Sequence, residues 1–235
     1  PYMIYSVAPG TSSATLKYER GVILEKPFSS GTTFQMEILN GCGIDKWTFD
    51  TDKYKNFMFR LSQQIGKNVS LGAFYYTGKE GLASNTGPFN SNVTMFGPDI
   101  KINFDDKFVF NLQYVRRTDS EVFIDTDMTL HDDVNTQGGF AELIYSPKGD
   151  MSNWYLTGLY NWVNSDIDNL DYQSMTLHAG YLLRRNLRLV SEYTYQFSGD
   201  SHGRVNLGFV SAFCYAPHHP PTLLRRSDDH KSELQ

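Results

Sequence analysis

The sequence predicts an all-β chain: an antiparallel, up-and-down transmembrane β-barrel of about 12 strands. Three observations carry this expectation. Apolar residues recur with period 2 through almost the whole chain, and helical periodicity is nearly absent. The alternating runs approach the ~9–11 residues that cross a bilayer at a tilt, whereas soluble strands cluster near ~5–6. The connections alternate in length, tight turns on one side and longer Gly/Asn/Asp-rich loops on the other.

The expected strands lie near 2–7, 14–25, 31–40, 54–64, 68–78, 92–104, 107–117, 137–146, 153–163, 173–184, 187–197 and 203–213. The run 14–25 places Arg20 on the apolar face, so a bulge or a rim position is expected there. Phe57, Phe59 and Leu61 share one face of the fourth run, opposed by Met58, Arg60 and Ser62. Met175, Leu177, Ala179 and Tyr181 oppose Thr176, His178 and Gly180 in the tenth. The last run is the cleanest, with Val205, Leu207 and Phe209 against Arg204, Asn206 and Gly208. The tight connections are 26–30, 64–67, 105–106, 147–152 and 185–186, and the longer ones 41–53, 79–91, 118–136 and 164–172, with 198–202 a short exception.

Periodicity alone does not say which medium meets the apolar face. A soluble β protein turns that face inward, and a membrane barrel turns it outward to lipid. Aromatics make up 14% of the chain, and Tyr54, Tyr75, Tyr114, Tyr145, Trp154, Trp162, Tyr193 and Phe213 fall toward strand ends, as interfacial girdles require. No predicted helix is available to cover a sheet face, and in lipid a closed sheet satisfies its own backbone amides. These features favour hydrocarbon on the outside, even though the mean hydropathy is −0.42.

Composition excludes several other classes. Lys+Arg 21 against Asp+Glu 26 gives −5, without the basic field that nucleic acid demands. No run reaches the ~18 apolar residues of a spanning helix. The two cysteines, Cys42 and Cys214, are too few for a disulfide framework or a four-thiolate metal site, and no CxxCH offers covalent haem attachment.

Gly203 to Phe213 resembles the last strand of bacterial outer-membrane barrels, whose terminal aromatic is read by the insertion machinery. The segments GGFAELIYSP (138–147), WYLTGLYNWVNSD (154–166) and TLHAGYLLRRNLRLVSEYTYQF (176–197) resemble the C-terminal part of the porin-like family. The resemblance implies a bacterial outer-membrane location in a Gram-negative bacterium and an insertion signal at Phe209 and Phe213. It also implies contact with lipid bilayer, lipopolysaccharide and the barrel-insertion machinery, and a homo-oligomer as one assembly. Residues 1–213 are read as the barrel and 214–235, with Pro217, Pro220 and Pro221 and no alternation, as a disordered or non-native extension. The opening PYMIYSV has neither initiator Met nor signal-peptide apolar region, so a removed leader or missing upstream strands are the alternatives, the latter giving a full barrel of perhaps 16 strands.

The polar face carries the candidate pore-lining residues Glu37, Arg60, Asp99, Lys101, Arg117, Glu142, Arg184, Arg188, Glu192 and Arg204. Buried in an apolar core, each would cost several kcal/mol unless paired. Two readings remain open: a hydrated pore in which Arg60, Arg188 and Arg204 face acidic partners such as Glu192, or a salt-bridged interior that fills a narrow barrel. Asp125 and Asp127 could offer oxygens to a hard divalent cation, but the twelve-residue Ca²⁺ loop pattern is missing, and a solvated acidic loop is the default. Nor do His131-Asp132-Asp133, or His178 without a serine two residues on, compose a catalytic set.

The leading expectation is therefore a passive porin-type channel for ions or small hydrophilic solutes, not an enzyme and with no cofactor. A barrel sheathing a periplasmic multihaem cytochrome is the alternative, and an outer-membrane hydrolase ranks last.

Overall fold

The computed structural model describes residues 2–10, 12, 14–41, 43–44, 53–84, 87–124, 129–131, 133–184, 186–199 and 201–211. Thirteen strands follow in chain order: β1 (Gly21–Pro27), β2 (Thr32–Leu39), β3 (Asn56–Ile65), β4 (Val69–Ser84), β5 (Gly87–Phe104), β6 (Phe108–Ser120), β7 (Val122–Ile124), β8 (Thr129–His131), β9 (Val134–Tyr145), β10 (Trp154–Ser165), β11 (Tyr172–Arg184), β12 (Leu187–Gln196) and β13 (His202–Ser211). Eleven form one antiparallel up-and-down sheet, ordered β1-β2-β3-β4-β5-β6-β9-β10-β11-β12-β13, and β7 and β8 make a separate hairpin. No helix among the described residues is long and apolar enough to cross a membrane, which has no bearing on a strand-built span.

Four local expectations change. Residues 2–7 are not a strand: Met3–Ser6 forms a short 3-10 turn with Ile4 buried. Alternation there has no neighbouring strand to pair with, and Pro9 and Gly10 (φ 50°) turn the chain away from extension. The run expected at 14–25 pairs only from Gly21, so Arg20 precedes the strand and donates from Nη2 to the Ile44 carbonyl at 2.7 Å. The long connection expected at 79–91 is largely strand, because β4 and β5 stay in register out to Ser84 opposite Gly87. The connection 118–136 holds the β7–β8 hairpin, paired from Val122 opposite His131 to Ile124 opposite Thr129.

The tight turns fall where Gly and Asp tolerate the left-handed region. Asp105 and Asp106 have φ 52° and 56°. That succession of positive φ suits a two-residue hairpin, and Asn103 braces it by accepting from the Asp106 amide at 3.1 Å.

The two faces of the sheet carry opposite chemistry. On one, Leu61 (54% exposed), Leu177 (56%) and Leu207 (80%) lie open together with Phe96, Leu156, Tyr181 and Phe209. On the other, Glu80 (4%), Arg117 (2%), Asp119 (0%) and Glu142 (9%) are buried beside Phe74, Tyr76 and Val115. That second face is the inner one, and Ala14, Tyr5, Tyr2 and Met3 bond to β4, β6, β9 and β10 across it. The apolar side of the ribbon therefore faces outward.

Aromatics mark both ends of the outer face. Phe108 stacks on Tyr145 at 4.6 Å, and Tyr145 meets Trp154 edge-on at 5.7 Å, next to the tight turns. Toward the other end Tyr160 and Trp162 stack at 5.8 Å. Trp154 to Trp162 spans roughly 26 Å along β10 at ~3.3 Å per residue, or about 20 Å along the normal at a ~40° tilt, near the ~25 Å apolar band of membrane barrels. Among the described residues β1 and β13 each have one strand neighbour, so the wall is open between them.

An outward apolar face carries a direct expectation. Leu177→Arg, mid-strand on β11, should lower unfolding stability in lipid vesicles by about 2–4 kcal/mol. Urea titration followed by tryptophan fluorescence reads this. Tolerance of the arginine in vesicles would count against hydrocarbon at that face.

Candidate functional site: the inner face and the segment it holds

The inner face is built by alternation, with every second residue of a wall strand on the side that the N-terminal segment covers. On β6 these are Gln113, Val115, Arg117 and Asp119, and on β9 Thr136, Gly138, Phe140 and Glu142, set by the register Arg117 opposite Thr136 and Asn111 opposite Glu142. Residues two apart on one face can meet, and Arg117 and Asp119 form a buried bidentate pair, Nε to Oδ2 and Nη2 to Oδ1 each at 2.6 Å.

Arg117 has three donors left, and all go to the N-terminal segment. Nη1 donates to the carbonyls of Val7 (2.9 Å) and Ala14 (2.6 Å), and Nη2 to Ser12 Oγ (2.7 Å). The five guanidinium N–H groups are thus fully used. Glu80 on β4 accepts from the Ala14 amide at 2.5 Å, completing the clamp on Ser12 and Ala14.

A second anchor holds the start of the segment. Tyr2 stacks on Phe140 at 3.8 Å and donates to Glu142 Oε2 at 3.0 Å, an oxygen that also accepts from Asn111 Nδ2 at 2.7 Å. The Met3 amide donates to Asn161 Oδ1 at 3.3 Å, and the Tyr5 hydroxyl to Gln113 Oε1. Burial and the neighbouring Glu142 raise the Tyr2 hydroxyl above its ordinary value, and burial with the charge of Asp99 pushes Tyr5 up to about 12. Both therefore stay protonated donors at physiological pH. Burial also raises the Glu19 carboxyl, although the Gly43 amide donates to its Oε2 at 3.0 Å.

Arg60 on β3 and Asp99 on β5 pair across β4 in two contacts, at 2.8 and 2.9 Å. They can because Gly72 lies between them: a Cβ there would meet both side chains within 2.7 Å. Between this wall and residues 15–19 lies a cavity of about 360 Å³, edged by Glu37, Met58, Arg60, Phe74 and Tyr76.

The other expected inner-face charges are placed as follows. Lys101 is exposed, in register with Ser70 and Asn111. Arg188 lies over the Tyr155 ring at 5.3 Å, opposite Leu182. Among the described residues the expected meeting of Glu192 with an arginine does not form; Glu192 accepts from Asn206 Nδ2 at 3.0 Å. Arg188 and Glu192 are four residues apart on one strand, roughly 13 Å at ~3.3 Å per residue, too far to pair. Arg204 is exposed opposite Thr194 on β13, and Arg184 is exposed beside a β-bulge at the end of β11. His178 faces Glu192 in register and lies 5.4 Å from the Tyr155 ring. Phe209 is 71% exposed on the outer face. Phe213, Cys42, Cys214, Asp125 and Asp127 lie outside the described residues.

Glu80 and Asp119 are inner-face residues that sequence reading assigned to loops. The signal was available in parity, since Asp119 continues the Arg117 alternation and Glu80 continues that of Tyr76.

No family model and no curated protein matches the chain. Among solved structures, it is similar to the KdgM porin in complex with disordered oligogalacturonate, at 10% identity over 83% of this chain and 91% of that one, with a TM-score of 0.39. It is also similar to the β domain of the Bordetella autotransporter BrkA, at 10% identity over 82% and 88%, with a TM-score of 0.40. At that level of likeness the inner face has to be read from its own residues.

Two outcomes test the clamp. Arg117→Ala leaves Asp119 buried without its partner and should cost about 3–5 kcal/mol. The Ala14 and Leu16 amides should then exchange hydrogen faster than the β9 amides, as mass-resolved exchange would show. The pH dependence runs the other way from a paired carboxylate. A raised Glu19 pKa means docking is favoured most below the ordinary carboxylate value and is weakened as pH rises through the raised one. Proteolytic cleavage within residues 2–20 should increase from pH 4 to 8, and Glu19→Gln should flatten that dependence; tighter docking at high pH would contradict it.

Proposed function

We propose that the chain is an outer-membrane, porin-like channel passing ions or small hydrophilic solutes down their gradients, without catalytic chemistry. The observation that carries this reading is the inversion of the sheet. Leucines and aromatics are exposed on the outer face, while Arg117, Asp119, Glu80 and Glu142 are buried on the inner one. Water would not favour an outer surface of that composition, and a hydrocarbon interior would not favour that inner one. A bilayer outside and a polar lumen inside satisfy both.

On this reading the lumen is narrowed by the described part of the N-terminal segment and its charge comes from wall residues. Arg60 is neutralised by Asp99, and Arg117 by Asp119, so the exposed Arg188, Arg204 and Lys101 set much of the remaining positive field. The segment held against β4, β6, β9 and β10 favours a solute path over a sheath for a multihaem cytochrome, because the space that partner would occupy already holds chain. Lipopolysaccharide and the insertion machinery are the contacts expected of such a barrel.

Full-length protein reconstituted in planar bilayers should give stepwise conductance, and Arg188→Ala or Arg204→Ala should shift the reversal potential in a salt gradient toward cation preference. Well-folded protein that gives no steps would remove the channel reading.

A further inference from the structure

We infer that the 360 Å³ cavity between residues 15–19 and the wall of β2–β4 is a binding site for a small organic cation, an ammonium carried on an apolar body, seated against Glu37. The inference rests on the channel reading in that the site lies inside the lumen.

The volume falls within the range of small-molecule pockets, which are mainly apolar with a few placed polar groups. Here Leu39, Met58 and Phe74 supply the apolar wall and Glu37 the charge. Glu37 is half-buried on the inner face of β2, and its carboxylate accepts from Gln35 Nε2 at 3.0 Å. The nearest wall cation, Arg60, stands opposite Gln35 in register but is held by both oxygens of Asp99. A half-buried carboxylate whose neighbouring arginine is already committed has strong reason to accept an incoming cation.

A second carboxylate agrees in sign. Glu19 closes the opposite side of the cavity and takes a backbone amide, not a cation, at Oε2. Lys17 at the mouth is exposed and lies over the Tyr18 ring at 5.9 Å. The phenyl of Phe74 and the ring of Tyr76 add aromatic faces, which attract ammonium groups and repel carboxylates. An anionic solute would meet two carboxylates, Glu19 and Glu37, against the single exposed ammonium of Lys17.

Isothermal titration of the full chain in detergent tests this with three isosteric probes: phenethylammonium, phenethyl alcohol and phenylpropionate. Phenethylammonium should bind at least tenfold more tightly than either of the others. Glu37→Gln should lose that factor and Glu37→Asp should keep most of it, with both variants retaining the wild-type melting temperature. Equal affinity for the three probes, tighter binding of phenylpropionate, no binding at all, or an unaffected Glu37→Gln variant would each overturn the assignment. Binding intact without conductance steps in bilayers would instead sink the channel reading and leave the site standing. Conductance steps without probe binding would do the reverse.

Discussion

The guanidinium of Arg117 is the constraint on which the inside of this molecule depends. A buried arginine is costly unless every donor is met, and here two donors go to Asp119 and three to residues 7, 12 and 14. The wall and the segment therefore cannot be considered separately. Without the segment, Arg117 would have three donors directed into the lumen, which water would have to satisfy. Without Arg117, Asp119 would be an unpaired charge with no exposed surface, and the carbonyls of Val7 and Ala14 would lose their partner. The ion pair within β6 fixes the fork's orientation, and that orientation selects where Val7, Ser12 and Ala14 lie.

Alternation then sets what surrounds the clamp. Because side chains on a strand change face at every residue, one register decides both that Arg117 points inward and that Arg116 and Thr118 do not. The same parity sends Leu112, Leu143, Leu156 and Leu177 outward on β6, β9, β10 and β11. The apolar outer band and the charged inner face are one consequence of the pleat, and neither can be moved by one residue without exchanging them.

Much of this was legible in the sequence. The alternation of Met175 to Leu182 and of Arg204 to Val210, the tight turn at Asp105-Asp106, and the inward placement of Glu37, Arg60, Asp99 and Glu142 follow from periodicity and turn chemistry, whereas the bulge before Arg184 does not. The N-terminal segment did not. PYMIYSV alternates as a strand would, and only the tertiary setting shows that Tyr2 and Tyr5 are spent on Glu142 and Gln113 instead of on a ladder. Pairing was equally hidden. Periodicity reports a face but not a distance, so the bond of Arg60 to Asp99 over Gly72, and the failure of Glu192 to meet an arginine, needed the cross-strand register.

The inner face is also not uniform around the sheet, and the difference follows from where the segment lies. Along β4, β6 and β9 Glu80, Arg117 and Glu142 are buried and hydrogen-bonded to Tyr2, Val7, Ser12 or Ala14, so they act as structure. Along β12 and β13, Arg188 and Arg204 are exposed, and Glu192 has an amide as its partner. Charges of the first kind have given up their hydration to hold the chain in place, while those of the second keep water around them. If solute crosses this barrel, the hydrated side by β12 and β13 costs it least desolvation, and the cavity by Glu37 is where it would be held longest. The division between a packed wall and a wet one thus follows from which strands the N-terminal segment bonds to.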